Sequence, residues 1–473
     1  MKNAFLFVVL TLTAQITTAQ IKNPDFELKK SPESTLPADW NVVPVQGYSA
    51  TLVSDTKYSG TQAMQITGQE NVSQFLSISQ TVAIEVKELK RIKLTAYIKT
   101  AAITGSVALW CQLWNAENKQ VGFENLGMQG QVIKGTTDWK KYTLTLTVNP
   151  SIKKLFFGLY SMGAGVTWAD NFAIEEFEGN ETPATAAVLK YSKEFNAIVK
   201  KHSIYTDSLN WPAIEADLAA LGKGLKTVED AQVLTGYVLQ QLRKAGDNHS
   251  FYQNKERAQS YASGNTVADT VSAKLVDNNI GYIVVPAFGS VNKEVSEAFA
   301  QKIQTLIKQL DTQQDIKGWV VDLRRNGGGN MYPMIAGLKP LIGNGTLGYF
   351  VKGKDKNEWK SSVNVKEPYA LKKPEPKIAV LVGPRTGSSG EMTAITFIGN
   401  KNTKLFGQAT AGYVTANGMY ALSDGAKLLL ASSYSADKNG KKYVDRIYPE
   451  VLVKEVAGQD ETRKQAIAWL LEK

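Results

Sequence analysis

The sequence predicts three successive regions: an antiparallel β-sandwich, a helical segment and an α/β core. Changes of periodicity carry the prediction. Residues 20–178 hold short alternating strands between Gly, Asn, Asp and Ser clusters, the pattern of a sandwich. From Val188 the apolar residues fall at helical spacing, and from about residue 275 strands and helices alternate, the pattern of an α/β layer structure.

Residues 1–19 read as a cleavable secretory signal: Lys2, the apolar run Phe5–Leu10, then Thr17-Thr18-Ala19 with the cut after Ala19. The run is too short to span a bilayer and no other segment reaches spanning length, so no transmembrane span is expected. No cysteine lies near the cut, so no lipid anchor is expected there. The sandwich, 20–178, includes the strands Arg91–Ile98, Lys141–Val148 and Leu155–Tyr160. Residues 179–186, opening Gly-Asn-Glu-Thr-Pro, read as a linker. Residues 187–250 form the helical part, with Val188, Leu189, Tyr191, Phe195 and Ile198 on one face and a helix over Val228–Lys244. In 251–473, strands are expected over Asn279–Val285 and Gly318–Leu323, separated by an amphipathic helix over Glu294–Leu310.

Composition narrows the function. The chain has 473 residues, net charge +10 and one cysteine, Cys111, which forbids an internal disulfide and suits a bacterial envelope. Cys111 sits in an alternating strand and reads as buried filler. The lysines are scattered rather than blocked, so they read as solvated faces and no nucleic-acid partner is expected. One cysteine and two distant histidines, His202 and His249, offer no zinc spacing.

Thr386-Gly387-Ser388-Ser389-Gly390-Glu391 follows the apolar run Lys377–Gly383 and precedes a helical stretch, which reads as strand, tight turn, helix. A serine there can cap the helix, with Ser388 and Glu391 spaced as a capping box, or stand exposed as a nucleophile beside outward backbone N–H groups. His249 lies in the loop Asp247-Asn248-His249-Ser250, where an imidazole can accept a serine proton or simply be a satisfied loop residue. His202 reads as a surface residue at a polar helix end. Asp322-Leu323-Arg324-Arg325-Asn326-Gly327-Gly328-Gly329 places glycines at a strand's end, suited to close backbone approach. It lacks the terminal Gly-Lys-Ser/Thr of a phosphate loop and fits an oxyanion hole as well.

These segments resemble the S41 serine peptidases. Residues 322–329 are similar to the family's D-L-R-x-N-x-G-G signature, and 386–391 to its T/S-A-S-A-x-E nucleophile turn, in which the serine stands three before the glutamate. Residues 407–413 resemble G-x-x-T-x-G-K, and 446–451 the closing G-I-x-P-D-V. The resemblance spans about residues 185–470 and implies the family's α/β fold, of the ClpP/crotonase type. It also implies a Ser388 nucleophile and an oxyanion hole from Ser389 with Gly328 or Gly329. Tyr413 stands where the processing peptidases carry a lysine base, and too few residues separate Phe251 from the strand near 280 to hold a PDZ domain. Both departures point to the tricorn-like branch, with its Ser–His–Ser–Glu tetrad. Residues 247–250 resemble that branch's D-G-H-S, which makes His249 the base. Asn248 stands where the helper serine belongs, so Ser250 is its substitute, and Asp445, then Glu450, is the candidate acid.

The opening Asn23–Glu27 and closing Val166–Phe172 resemble the ends of carbohydrate-binding jelly rolls of the galactose-binding-like type. That resemblance implies a glycan partner and a structural calcium at Glu27 and Asp170, although Asp170-Asn171 also reads as a simple turn. Trp110, Trp114 and Trp168 are candidates for a sugar-stacking platform, with core packing as the plainer reading. The expected function is an exported, periplasmic or extracellular serine peptidase acting on protein or peptide, with no cofactor required for catalysis. The alternatives are a non-catalytic ligand carrier on the same scaffold or a glycan-binding protein.

Overall fold

A computed structural model describes residues 21–70, 72, 74–176, 182–264, 270–277, 279–456 and 458–472. The proposed signal segment and residues 179–181 of the linker lie outside these residues. The protein is multidomain, with two compact units. The first runs to Ser192 and includes Trp211–Lys244; the second comprises Lys193–Asn210 and Ala245–Lys473.

In the first unit, nine antiparallel strands form a nearly closed sheet. Its organising element is the long strand Lys90–Asn115. The N-terminal part of this strand pairs with Ile133–Val148 and Gly165–Glu176; its C-terminal part pairs with Ile152–Met162 and Gln120–Asn125. Register shifts between Ile98 and Val107, with Ala102 at φ 54°, bend it from one layer into the other. Alternation then sends Leu94, Ile98, Leu109, Cys111, Leu113, Leu144, Leu146, Leu155, Phe157 and Leu159 into one core. Cys111 is a free, buried thiol whose pKa burial pushes up.

The same register brings side chains together on the outer face. Ser79 pairs with Gly158, which pairs with Trp110, and Thr81 pairs with Phe156, which pairs with Gln112. Trp110 and Phe156 meet edge to face at 4.9 Å, and the Trp110 N–H donates to the Ser77 hydroxyl at 2.9 Å. Trp110 is buried on this face, whereas Trp114 and Trp168 are half-buried, their N–H groups donating to Gln112 and Gln65; neighbours of opposite parity fill the main core.

The helices Trp211–Gly222 and Gln232–Lys244 group with this unit, whereas the sequence joined 187–250 to the peptidase region. Gln240 donates to the Thr147 carbonyl, Arg91 to the Lys223 carbonyl, and a Cβ at Gly236 would stand 2.7 Å from Glu124 Oε1.

The second unit is α/β. Its main sheet orders the strands Ser272–Val276, Ile280–Val284, Gly318–Asp322, Ile378–Val382, Thr403–Gly407 and Val451–Leu452; all neighbours are parallel except the first pair. Strands buried on both faces read as unbroken apolar runs. Trp319, Val321, Ile378, Val380 and Val382 point to a core closed by the helices Lys293–Gln313 and Met331–Ile342. Ile280, Val320, Ala379 and Leu381 point to the helix Glu461–Leu471. A second, antiparallel sheet is built around Lys427–Ala436 and carries Phe251–Gln253 and Thr415–Ala421.

Candidate active site

Parallel strands end on one edge, and there the turns after Gly318–Asp322 and Ile378–Val382 lie side by side. The Thr386 hydroxyl donates to the Leu323 carbonyl at 2.8 Å, Gly387 N–H to the Asn326 carbonyl at 3.0 Å, and the Ser389 hydroxyl to the Gly329 carbonyl at 2.7 Å. Asn326, fully buried, holds the glycine turn from inside: its amide donates to the Val285 and Pro286 carbonyls and its Oδ1 accepts from Gly328 N–H at 3.1 Å. Arg324 anchors the turn's stem, bonding Asp322 at 2.7 Å and Asp460 at 2.6 Å. These partners raise the guanidinium's pKa against the opposing effect of burial.

Ser388 sits at φ 51°, ψ −122°, immediately before the helix Ser389–Ile395. This backbone conformation is rare for a side-chain-bearing residue and costs on the order of 1–3 kcal/mol. Neighbouring contacts hold it. A Cβ at Gly390 would stand 2.3 Å from the Asn326 carbonyl oxygen, and one at Gly328 would stand 2.7 Å from Ser388 Cβ, so only glycine allows these approaches. Glu391, fully buried, receives Ser388 N–H and Tyr413 N–H at 2.8 Å each, Gly412 N–H at 2.9 Å and the Thr410 hydroxyl. Burial raises its carboxyl pKa, and these four donors oppose the rise.

Ser388 Oγ lies 2.8 Å from His249 Nε2. The opposite nitrogen, Nδ1, lies 2.9 Å from the Thr415 carbonyl oxygen and 3.0 Å from its hydroxyl. A carbonyl only accepts, so Nδ1 carries the hydrogen and Nε2 presents its lone pair to the serine. Burial pushes the imidazole down to about 4, partly opposed by the Thr415 bond. The Tyr413 ring stacks on the imidazole, with centroids 5.6 Å apart and planes 21° apart.

The expected tetrad is not assembled. The Ser250 hydroxyl donates to Asp247 at 2.5 Å and accepts from Ala431 N–H at 2.8 Å, so it braces the loop from below. Asp445 is exposed and takes only a 3.5 Å contact from the Tyr448 hydroxyl; Glu450 accepts from Leu405 N–H at 2.7 Å. A strand carbonyl occupies the position the acid was expected to fill. Of the oxyanion candidates, Gly328 N–H is taken by Asn326, whereas Ser389 and Gly329 N–H have no acceptor among the described residues. Thr415 escaped sequence reasoning because it acts through its backbone. Glu391 was visible only as a capping-box spacing.

Glu27 and Asp170 flank the loop over residues 58–62. Asp170 accepts from Tyr58 and Ser59 N–H at 3.1 and 3.0 Å, and Glu27 from Thr61 and Gln62 N–H at 2.8 and 3.2 Å. Asp170 lies within the strand Gly165–Glu176 rather than in a turn before it. Among the described residues no three His, Cys, Asp or Glu side chains gather as a metal site.

The comparisons with known proteins agree with this architecture. Over 286 residues the chain is 28% identical to the nisin-resistance protein of Lactococcus lactis subsp. lactis, covering 56% of this chain and 82% of that one. Over 149 residues it is 30% identical to the chloroplastic carboxyl-terminal-processing peptidase 2 of Arabidopsis thaliana, covering 32% and 27%. The solved structure of a lipoprotein from Streptococcus agalactiae superposes with a TM-score of 0.52 at 26% identity, covering 60% of this chain and 96% of that one. Residues 279–453, within the C-terminal region of this chain, match the model of Peptidase family S41.

Proposed function

We propose that the protein is an exported serine peptidase working through a Ser388–His249 dyad. The observation that carries this reading is the 2.8 Å contact between Ser388 Oγ and a histidine nitrogen left free to accept, at a strained turn beside two unengaged backbone N–H groups. His249 takes the serine proton as Oγ attacks the substrate carbonyl. Ser389 and Gly329 N–H groups hold the tetrahedral oxyanion. The intermediate collapses as His249 Nε2–H protonates the departing amine, leaving an ester on Ser388. Water, deprotonated by the same nitrogen, then releases the acid. Thr415 replaces the tetrad's acid, fixing the tautomer without adding a charge. Residues 1–19 would direct export to a periplasmic or extracellular site.

A fluorophosphonate probe tests the nucleophile. Labelling of the intact protein that vanishes in Ser388→Ala and falls steeply in His249→Ala supports the reading. A folded protein that never labels rejects it in favour of a carrier. The relative named for nisin resistance makes nisin itself a first substrate to offer.

For the sandwich, a neutral glycan is the ligand that suits the outer face. A cavity of about 520 Å³ there is lined by Phe156 with Asn41, Ser79 and Thr81, and its charged pair, Lys22 and Asp39, is 4.0 Å apart. One aromatic ring with hydroxyl and amide groups beside it matches saccharide chemistry. Calcium is the second partner. The Glu27 and Asp170 carboxylates both accept from the loop over residues 58–62, and a hard cation there would draw further oxygens from backbone carbonyls. Phe156→Ala abolishing retention on a glycan array, and calcium raising the melting temperature unless Glu27→Gln is present, test the two claims.

A further inference from the structure

We infer that Tyr413 is a positioning residue of the base: its ring stacks over the His249 imidazole and keeps water from one face of it. The two hydrogen bonds of His249 run from opposite ends of the ring to Ser388 and Thr415. Together with the Cβ–Cγ bond they set the plane of the ring, and what they leave open is the access of water to its faces. The Tyr413 ring stacks over one face, 21° from parallel with centroids 5.6 Å apart.

Tyr413 is itself held at its backbone, where its N–H enters Glu391 at 2.8 Å, and a Cβ at Gly387 would stand 3.1 Å from Tyr413 Cδ2. The clamp on the strained turn and the clamp on the base thus meet in one carboxylate. Tyr413 is 41% exposed, so its outer face meets solvent in place of the imidazole. Its hydroxyl makes no hydrogen bond among the described residues, which assigns the task to the ring alone.

The groups around the imidazole leave that ring as the adjustable element. Ser388 and Thr415 are neutral partners of the ring, and Asn417, also neutral, donates to the His249 backbone carbonyl. Asp247 is turned to the backbone, accepting His249 and Ser250 N–H, and Glu391 is filled by its four donors. No lysine or arginine bonds the imidazole among the described residues. Loss of the ring would hydrate the imidazole and stabilise its cation, since desolvation is what holds its pKa down.

The test uses the full chain, and the presence of only two histidines makes it clean. Histidine imidazole resonances are titrated by NMR in wild type, Tyr413→Ala, Tyr413→Leu and Tyr413→Phe, with His202→Asn assigning the two signals. The expected result is a rise of about one pH unit or more in the His249 midpoint in the Ala and Leu variants and none in Phe. Peptide kinetics should show kcat about tenfold lower with KM nearly unchanged in Ala and Leu, the acid limb moving up with the NMR midpoint, and rescue in Phe. An unmoved midpoint in both Ala and Leu overturns the inference, as does a midpoint that moves equally in Phe. The kinetic arm rests on His249 being the base. If wild type neither labels nor turns over, that reading fails while the NMR midpoint still decides the role of Tyr413.

Discussion

The Ser389 hydroxyl grips the Gly329 carbonyl at 2.7 Å, so the residues supplying the two proposed oxyanion donors are tied to each other by a side chain. Two N–H groups on different turns need a fixed separation to act together, and this bond supplies it. Ser389→Ala keeps the backbone donor and loses the tie. The expected outcome is kcat about tenfold lower, roughly 1.4 kcal/mol in the barrier, with KM nearly unchanged. Steady-state kinetics on a peptide ester check this, and an unchanged kcat would show that the separation is set elsewhere.

The residues first expected to complete a tetrad separate sharply. Asp445→Ala removes an exposed carboxylate that touches neither His249 nor Ser388, so kcat/KM should stay within about twofold. Ser250→Ala leaves the Asp247 carboxylate and Ala431 N–H without their buried partner, so stability should fall by about 1–3 kcal/mol in denaturant titration. A large kinetic loss in Asp445→Ala with an intact fold would restore the acid.

The imidazole sets two pH dependences. Burial holds His249 at about 4, below the ordinary value of about 6.5, so the acid limb of kcat/KM should lie near the lower value. Between these values the unfolded chain carries a proton on this ring and the folded chain does not. Folding stability is therefore full above the unfolded value and declines as pH falls through the window, by on the order of 3 kcal/mol. Urea unfolding at pH 7 and pH 4.5 should show a smaller pH-linked loss in His249→Gln than in wild type. Equal losses would mean the ring is hydrated.

Glu391 gives the sharpest stability test. Replacing the carboxylate with Gln exchanges one acceptor oxygen for a donor facing N–H groups. Stability should drop by about 2 kcal/mol, and more in Glu391→Ala, where the buried donors are orphaned. Fluorophosphonate labelling should slow about a hundredfold in Glu391→Gln as the turn relaxes. A stable Gln variant that labels at the wild-type rate would make this carboxylate dispensable.

Features carried by side chains in local patterns were readable in advance. The parallel sheet follows from apolar runs such as Ile378–Val382, and Ser388 and His249 from their turn and loop contexts together with the motif resemblance. Thr415 was hidden because a carbonyl oxygen belongs to every residue, and only the fold selects which one meets Nδ1. The sequence offers Gly328 and Gly329 alike as donors, yet Asn326 takes the Gly328 N–H, and the lack of a side chain at Gly328 is what gives Ser388 room. The outer-face tryptophans were ambiguous because period-2 alternation does not say which parity faces the core until the opposite sheet is known.

The strand Lys90–Asn115 belongs to both layers of the sandwich. Neither layer can close without it, and its pairings reach residues far away in the chain, such as Ile92 with Glu176. Such long-range closure is slow, since loop entropy is spent before any contact repays it. The N-terminal region should thus fold in one late, cooperative step, leaving the newly made chain extended until its last strand, Gly165–Glu176, is available.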